Sequence, residues 1–237
     1  VNKKVDGLGS YIYGFGYSID LTFKQLAKFA GNTLKSYRFA VISSSQMPYE
    51  HQSKVFVEES KSLGNTIVFE EKNASENTDF NSLIAKAKSE KCDTIFAVLP
   101  ANALSQFIKA ARANQFKGKI LVGDTIFDPQ LKALGQDAEG IYMTQAWCDD
   151  STFKESYSKK YGASVDNVTL GVAALGYDIV KCLQGVGTPI EASSITYSLL
   201  SNSCAGLTGN TQFTGERIAQ RRKKIVTVKG GQFALAE

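Results

Sequence analysis

The stretch Arg38–Ser43 (RFAVIS) is a short apolar run of the kind that forms a buried strand. Similar runs follow it at a spacing of about 25 residues, at Thr66–Glu70 (TIVFE), Thr94–Leu99 (TIFAVL), Lys119–Val122 (KILV) and Gly140–Thr144 (GIYMT). Several of them are nearly continuous in β-branched or aromatic residues, which is typical of parallel strands that are covered on both faces. The runs therefore predict a parallel sheet.

Amphipathic segments separate these apolar runs. Three of the segments carry apolar residues at helical spacing, at Val55, Phe56 and Leu63, at Phe80, Leu83, Ile84 and Ala87, and at Leu104, Phe107, Ile108 and Ala111. An earlier helix is predicted around Ile19–Leu34. Alternation of strands and helices is the pattern of repeated βαβ units, so the fold class is α/β.

Local signals mark the ends of several predicted helices. Gly64 follows the first of the three helices, and Asp79 is suited to cap the second. Asp128-Pro129 is predicted to be an N-cap followed by proline at the first helical position of a short helix that ends at Leu134.

The pattern changes after Trp147, where helices follow one another without strands: Ser151–Tyr161, Asn167–Gln184 and Pro189–Ser201. The helix Asn167–Gln184 is apolar in almost every direction around its axis, which predicts burial on more than one side. The chain closes with edge or antiparallel strands, at Thr211–Phe213 and at Lys224–Val228, followed by a Gly230-Gly231 turn before Gln232-Phe233.

Composition excludes several classes of protein. The 237 residues are 43% hydrophobic and 21% charged, as in soluble globular proteins, so disorder is a poor explanation. Lys plus Arg number 27 and Asp plus Glu 23, which gives a net charge of +4; this imbalance is too mild to indicate nucleic acid. No stretch approaches the roughly 20 apolar residues that span a bilayer. Val1–Asp6 lacks the apolar segment of a signal peptide, which leaves the compartment open.

Motifs for catalysis or cofactor binding are scarce. His51 is the only histidine, it falls at a predicted helix start, and no GxSxG elbow is present. No phosphate-binding glycine motif follows a strand. The pattern therefore predicts neither an enzyme nor a cofactor site.

The four cysteines lie far apart with no CxxC pair, which speaks against zinc. Cys92 and Cys182 are interpreted as small buried hydrophobes. Cys148 and Cys204 could pair in an oxidising compartment, but the sequence leaves all three full connectivities open.

Candidate ligand contacts lie in the loops that follow the strands, because open parallel sheets bind ligands at the carboxyl ends of their strands. These loops contain Ser44, Ser45, Tyr49, Pro100, Asn102, Asp124 and Thr125. Asp124 offers a carboxylate that could pair with a ligand ammonium group, and the other polar side chains offer hydroxyls and an amide. The alternative reading is that the serines form the turn and Asp124 accepts hydrogen bonds from backbone amides.

A succession of short motifs resembles type I periplasmic binding proteins, above all the branched-chain amino acid branch of ABC-importer binding proteins. The first half of the chain contributes Tyr37–Ile42, Met47–Glu50, Phe56 with Gly64, Asp79-Phe80 and Gly135–Gly140. The second half contributes Phe153–Tyr157, Tyr161-Gly162, Ala174–Asp178, Gly206–Gly209, Phe213, Gly215 and Val228–Phe233. Each motif alone is common, whereas their ordered succession over about 200 residues is not.

This resemblance implies two αβ lobes joined by three crossovers, with a ligand bound in the cleft by hinge closure. Residues 1–147 would be the second lobe, 148–205 the helical part of the first lobe, and 206–237 the closing crossover and edge strands. Most of the sheet of the first lobe would be missing. The implied ligand is a small polar molecule such as an amino acid or amide, delivered to a membrane ABC permease. In the family Tyr49 matches an aromatic that faces the cleft, and Asp124 or Thr125 matches a polar ligand contact.

The resemblance further implies a periplasmic or extracellular location, with a lipid anchor before processing as one option. An alternative function is that of a ligandless envelope regulator resembling the penicillin-binding protein activators. The C-terminal part of those proteins is loosely similar to Gly206–Gly209, Phe213 and Arg217–Lys224 of this chain. A third class, a flavodoxin-like enzyme, would require a bound cofactor. Finally, the helix Asn167–Gln184 is expected to be covered by a retained first-lobe segment or by another copy of the chain.

Overall fold

A computed structural model describes residues 9–162, 165–184, 186 and 191–236. By their contacts these residues form two compact units. The large unit contains Phe23–Gln145 together with the residues from Lys224 onward. The small unit contains the described residues up to Thr22 together with Ala146–Lys223, so the chain passes from one unit to the other three times.

The elements of the large unit follow the alternation that the sequence predicts. In chain order they are α1 (Ile19–Asn32, which starts in the small unit), β1 (Arg38–Ser43), α2 (Tyr49–Ser62), β2 (Thr66–Glu71), α3 (Phe80–Ser89), β3 (Thr94–Val98), α4 (Ala101–Ala113), β4 (Lys119–Val122), α5 (Asp128–Leu134), β5 (Tyr142–Gln145), β8 (Lys224–Lys229) and β9 (Gln232–Leu235). A 3₁₀ turn, Gly135–Ala138, follows α5.

These strands form one seven-stranded sheet in the order β2-β1-β3-β4-β5-β8-β9. The first five strands are parallel, while β8 pairs antiparallel with β5 and β9 with β8. The predicted mostly parallel α/β sheet is therefore confirmed. The central strand β3 is buried along its whole length, which explains its unbroken apolar sequence.

Aromatic side chains form the centre of this core. Phe56 from α2 stacks on Phe96 from β3 with ring centroids 4.0 Å apart, and Phe39 from β1 meets Phe56 edge-on at 5.5 Å. All three rings are fully buried. Such pairs add about 0.5–1.5 kcal/mol beyond the burial of their area, so they fix α2 firmly against the sheet.

The small unit contains α6 (Ser151–Tyr161), α7 (Asn167–Gln184), α8 (Ala192–Ser201) and a hairpin of β6 (Cys204–Gly206) with β7 (Gly209–Thr211). Two small cores hold it together. One packs Tyr13 and Phe15 around Leu199 and Phe213, and the other packs Phe153 and Tyr157 around Leu170 and Ala174. The helices α6 and α7 have the predicted bounds, whereas the predicted start of the last helix at Pro189 lies outside the described residues.

Two predictions about helices need correction. The helix α7 is buried on one side only, because Leu170 and Ala174 are buried while Tyr177 and Val180 are 48% and 56% exposed. Its apolar residues therefore exceed what the described part of the small unit can cover. The helix α5 begins at Asp128 with Phe127 at the N-cap position, one residue earlier than predicted.

The cysteine prediction is also corrected. Cys182 at the end of α7 forms a disulfide with Cys204 in β6, with their Cα atoms 5.5 Å apart, while Cys148 and Cys92 are free and buried. The interpretation of Cys182 as an unbonded core hydrophobe was wrong because α7 packs directly against β6, a contact that helical periodicity does not reveal.

The contacts divide the chain differently from the predicted domain boundaries. The first described residues, up to Thr22, belong to the small unit, and β8 and β9 extend the large sheet instead of standing apart as a closing segment. The reason is that β8 completes an open edge by pairing with β5. Within the described residues, no helix is both long and apolar enough to cross a membrane.

Candidate functional site

The predicted ligand contacts come together because of the topology of the large sheet. The strands β1, β3 and β4 are parallel, with β3 in the centre, so their carboxyl ends meet at one edge. The loops that follow these strands lead into the N-termini of α2, α4 and α5. Since the N-terminal ends of helices carry partial positive charge and free N–H groups, this edge is suited to polar or charged ligands.

Three polar side chains form a cluster at this edge. Tyr49 is the first residue of α2, and Gln52 lies one turn later on the same helix. The side-chain amide of Gln52 donates a hydrogen bond to Asp124 Oδ1 over 3.3 Å. Asp124 follows β4, so the cluster connects the carboxyl end of β4 with the start of α2, the helix that follows β1.

The Asp124 carboxylate and partial burial both affect the pKa of the Tyr49 phenol. Burial raises this pKa above its ordinary value, and the neighbouring Asp124 carboxylate raises it further. Both causes disfavour the phenolate, so Tyr49 keeps its proton and can donate a hydrogen bond over the physiological pH range.

Gln52 is the residue of the cluster that our sequence reading missed. Its side chain is only 2% exposed, and its amide oxygen has no hydrogen-bond partner among the described residues. A Cβ atom at Gly123 would lie 3.1 Å from this oxygen, so the glycine leaves the space that Gln52 occupies. The available signal was the spacing from Tyr49, because residues three apart share one face of a helix.

Ser44 and Thr125 reach the same region but serve the backbone. The N–H of Ser44 donates to the Val98 carbonyl over 3.1 Å, and the Ser44 hydroxyl accepts from the Gln46 N–H over 3.2 Å. The hydroxyl of Thr125 donates to the Leu99 carbonyl over 3.2 Å. For Ser44 the alternative reading, that the serines form the turn, describes the geometry. Both tie their loops to the end of β3.

The other predicted contacts lie in the loops at this edge of the sheet. Ser45 is exposed in the loop after β1. Pro100 occupies the N-cap position of α4, and Asn102 is exposed in its first turn. These three residues flank the cluster at the same edge of the sheet.

A second polar network, which the sequence did not suggest, lies buried in the small unit. Asp178 of α7 is fully buried and accepts hydrogen bonds from the N–H groups of Leu207 and Thr208, over 2.7 and 2.9 Å. It also pairs with the buried Arg221 guanidinium over 3.3 Å. This network fastens α7 to the β6–β7 turn and to the segment before β8, so we assign it a structural role.

Metal ligation and histidine chemistry find no support in the part of the chain that the structure describes. It contains no group of three or more His, Cys, Asp or Glu side chains placed to hold a metal ion. His51 lies half-buried in the first turn of α2.

Comparison with known proteins identifies the class. The family model described as periplasmic binding protein matches residues 6–232. The chain therefore belongs to the periplasmic binding protein family, as its succession of motifs predicts. The family places it among extracytoplasmic solute-binding proteins, and its known relatives are binding proteins and not enzymes.

Solved structures confirm the fold. The leucine-binding protein LivK from Thermotoga maritima has 20% sequence identity and a TM-score of 0.80, and the match covers 100% of this chain and 70% of that one. LivJ from Streptococcus pneumoniae, in complex with isoleucine, has 20% identity and a TM-score of 0.73, covering 93% and 65%. A solute-binding protein from Rhodopseudomonas palustris HaA2, in complex with p-hydroxybenzoic acid, has 21% identity and a TM-score of 0.76, covering 99% and 68%.

Proposed function

We propose that this chain binds a small amino acid and delivers it to a membrane ABC permease from the periplasmic or extracellular side. The observation that carries this proposal is the cluster of Tyr49, Gln52 and Asp124 at the carboxyl edge of the parallel sheet. Its Asp124 carboxylate is a partner for a ligand ammonium group, and the Tyr49 phenol adds a hydroxyl that can donate or accept.

The charge of the cluster discriminates between two ligand chemistries found among proteins of this fold. Leucine and isoleucine carry an ammonium group, whereas p-hydroxybenzoic acid carries a carboxylate and no cation. A carboxylate would be repelled by Asp124 unless the two shared a proton. The cluster therefore favours an amino acid, and the positive N-terminal end of α4 would attract its carboxylate.

Hinge closure is the proposed mechanism. The chain passes three times between the two units, at residues 22/23, 145/146 and 223/224, so three segments would have to bend together. A ligand favours the closed state only through contacts that are better there, so closure requires contacts from the small unit as well.

A thermal-shift screen of the proteinogenic amino acids, with p-hydroxybenzoate as the contrasting probe, tests the proposal. We expect a saturable rise in melting temperature with one or a few amino acids and none with the aromatic acid. As a control variant, Glu76→Gln removes an exposed negative charge from the large unit, away from the cluster residues. Its shift in melting temperature should equal that of the parent chain. If no amino acid stabilises the chain and it binds an envelope synthase instead, the ligandless regulator replaces this proposal.

A further inference from the structure

The amino edge of the large sheet, opposite the candidate site, carries a surplus of positive charge. Three segments meet there, 33–38, 88–93 and 114–119, and they lead into the neighbouring parallel strands β1, β3 and β4. Each segment contains two basic residues, whereas the three together contain only two acidic residues, Glu90 and Asp93. We call this surface the basic edge. Its basic side chains, all exposed, are Lys35, Arg38, Lys88, Lys91, Lys117 and Lys119.

Backbone pairing holds the three segments side by side. The N–H of Asp93 donates to the Arg38 carbonyl over 3.0 Å, and the N–H of Lys119 donates to the Asp93 carbonyl over 2.8 Å. A Cβ atom at Gly118 would lie only 2.4 Å from that Asp93 oxygen, so the glycine lets its loop pack closely. Adjacent strands lie about 4.8 Å apart, so the three strand starts span about 10 Å. This is close to the Debye length at physiological salt, and the charges therefore act together.

Helix ends account for two of the six cations. The helices α3 and α4 end at this edge, where their last carbonyl groups carry partial negative charge. The Arg38 guanidinium donates to the carbonyls of Glu90 and Lys91 over 2.8 and 3.2 Å. The Lys88 ammonium donates to the Asn114 carbonyl over 2.9 Å. These two cations offset the helix ends, so the charge of the other four is left over.

The four remaining cations have no such task. Within the described residues, no hydrogen bond or ion pair involves the ammonium groups of Lys35, Lys91, Lys117 and Lys119. Lys35 and Lys91 also have positive φ angles, 55° and 54°, just after helix ends, where glycine is the usual residue. A lysine at such a position strains the backbone, and strain of this kind is concentrated at functional positions. The basic edge thus has the charge and the placement of a docking surface for an anionic partner.

The kind of cation and the neighbouring side chains favour a membrane as this partner. Lysine is a flexible point charge, whereas arginine suits bidentate pairing with one defined partner. Arg38, the only arginine of the basic edge, already binds carbonyl groups. Tyr37 is 52% exposed between Lys35 and Arg38 in the sequence, and Leu63, 41% exposed, lies in the loop before β2. Lysines beside an aromatic and an aliphatic side chain are typical of surfaces that adsorb to anionic headgroups.

We propose that the basic edge adsorbs to the phosphate headgroups of an anionic lipid membrane, with its four unpaired lysines at the headgroups and Tyr37 at the interface. Each lysine near such a surface raises affinity about fivefold, so four of them give weak, reversible binding. The extracytoplasmic location of the family places the chain in a compartment bounded by a membrane.

This inference is separate from the proposed function. The Tyr49, Gln52 and Asp124 cluster lies at the carboxyl edge of the same sheet, so adsorption through the amino edge leaves the cluster open to solution. Loss of membrane binding would therefore leave amino-acid binding intact, and the reverse also holds.

Co-sedimentation of the 237-residue chain with lipid vesicles tests the inference. One set of vesicles is phosphatidylcholine alone, and the other contains phosphatidylglycerol as the anionic lipid. We expect binding to the anionic vesicles only. This binding should fall steeply as salt is added, because salt screens exposed charges.

A fourfold variant locates the binding surface. Replacing Lys35, Lys91, Lys117 and Lys119 together by glutamine should weaken binding to the anionic vesicles at least about tenfold. Glutamine suits the two positive-φ positions, since Gln115 itself has a φ of 51°. The matched control replaces four exposed lysines outside the three segments, changes the net charge equally and should keep most of the binding; these are Lys24, Lys54, Lys72 and Lys159. If the fourfold variant folds poorly, the lipid and salt dependence of the parent chain still decides the outcome.

Three results would overturn the inference. The first is equal binding of the parent chain to neutral and anionic vesicles, since charge would then play no part. The second is an equal loss of binding in the two fourfold variants, which would show that net charge acts without a particular surface. The third is the absence of vesicle binding at low salt, and binding of inorganic polyphosphate in that case would assign the basic edge to a soluble polyanion.

Discussion

Replacing Asp178 by Asn should destabilise the small unit strongly while leaving its shape almost unchanged. One carboxylate oxygen of Asp178 accepts from the N–H of Leu207, and the other accepts from the N–H and hydroxyl of Thr208 and from Arg221. An asparagine amide has a single oxygen. Whichever way it turns, its NH₂ group faces a backbone N–H, so either Leu207 or Thr208 loses its acceptor.

The larger part of the cost comes from Arg221. The side chain of Arg221 is 2% exposed and that of Asp178 is fully buried, so the substitution leaves a buried guanidinium without its counter-charge. Breaking a buried pair by removing one partner typically costs about 3–5 kcal/mol. With a urea dependence of about 1–3 kcal/mol per molar, the unfolding midpoint of the small unit should fall by about 1 M or more.

Trp147, the only tryptophan, lies in the small unit and reports its unfolding by fluorescence. The control Asp149→Asn removes an exposed carboxylate and should leave the midpoint unchanged. Replacing both partners, as Asp178→Leu with Arg221→Met, should recover the part of the loss that comes from the uncompensated guanidinium, because no buried charge remains, but not the part that comes from the unpaired N–H groups of Leu207 and Thr208. A midpoint of Asp178→Asn within about 0.3 M of the parent would refute the reasoning, since a loss of 3 kcal/mol cannot produce so small a change.

Three further predictions concern separate features. Reduction of the Cys182–Cys204 bond should lower the free energy of unfolding by about 3 kcal/mol, because the bond spans a sequence separation of 22 residues; an unchanged urea midpoint in reductant would contradict this. Asp79 caps α3, and the Ser82 hydroxyl chiefly lowers its pKa, so its stabilisation should be lost as pH falls through that lowered pKa. In acid titrations of stability, Asp79→Ala should lack this component. Asp124→Asn should lower the pKa of Tyr49 in an ultraviolet titration. An unchanged pKa would show that the Asp124 carboxylate does not act on the Tyr49 phenol.

Local patterns were sufficient to predict the large sheet. The strands β1 and β4 have the predicted bounds because their apolar runs are closed on both sides by polar or glycine residues. The Asp79 cap was also predictable, since its side chain accepts from the N–H of Ser82 three residues later. In each case neighbours in sequence determine the outcome.

Features that depend on distant segments were not predictable in the same way. The bond of Cys182 to Cys204 requires α7 to end beside β6, and the exposed stripe of α7 depends on which elements pack against an evenly apolar helix. In the candidate site, the edge of the sheet and the position of Asp124 followed from strand order. Gln52 did not, because a glutamine on a helix is usually a surface residue and only the fold places it against Gly123.

Calorimetric titration of leucine and isoleucine into the protein and into its Asp124→Asn and Tyr49→Phe variants tests the central claim most directly. The account predicts binding of at least one of these amino acids or, failing both, of the amino acid that the thermal-shift screen identifies. It predicts a loss of about tenfold or more in affinity in each variant, from one charge-assisted hydrogen bond of about 1.5–3 kcal/mol, and no binding of p-hydroxybenzoate. Full affinity of both variants, or binding of p-hydroxybenzoate without any amino acid, would contradict the assignment of the Tyr49, Gln52 and Asp124 cluster as an amino-acid site.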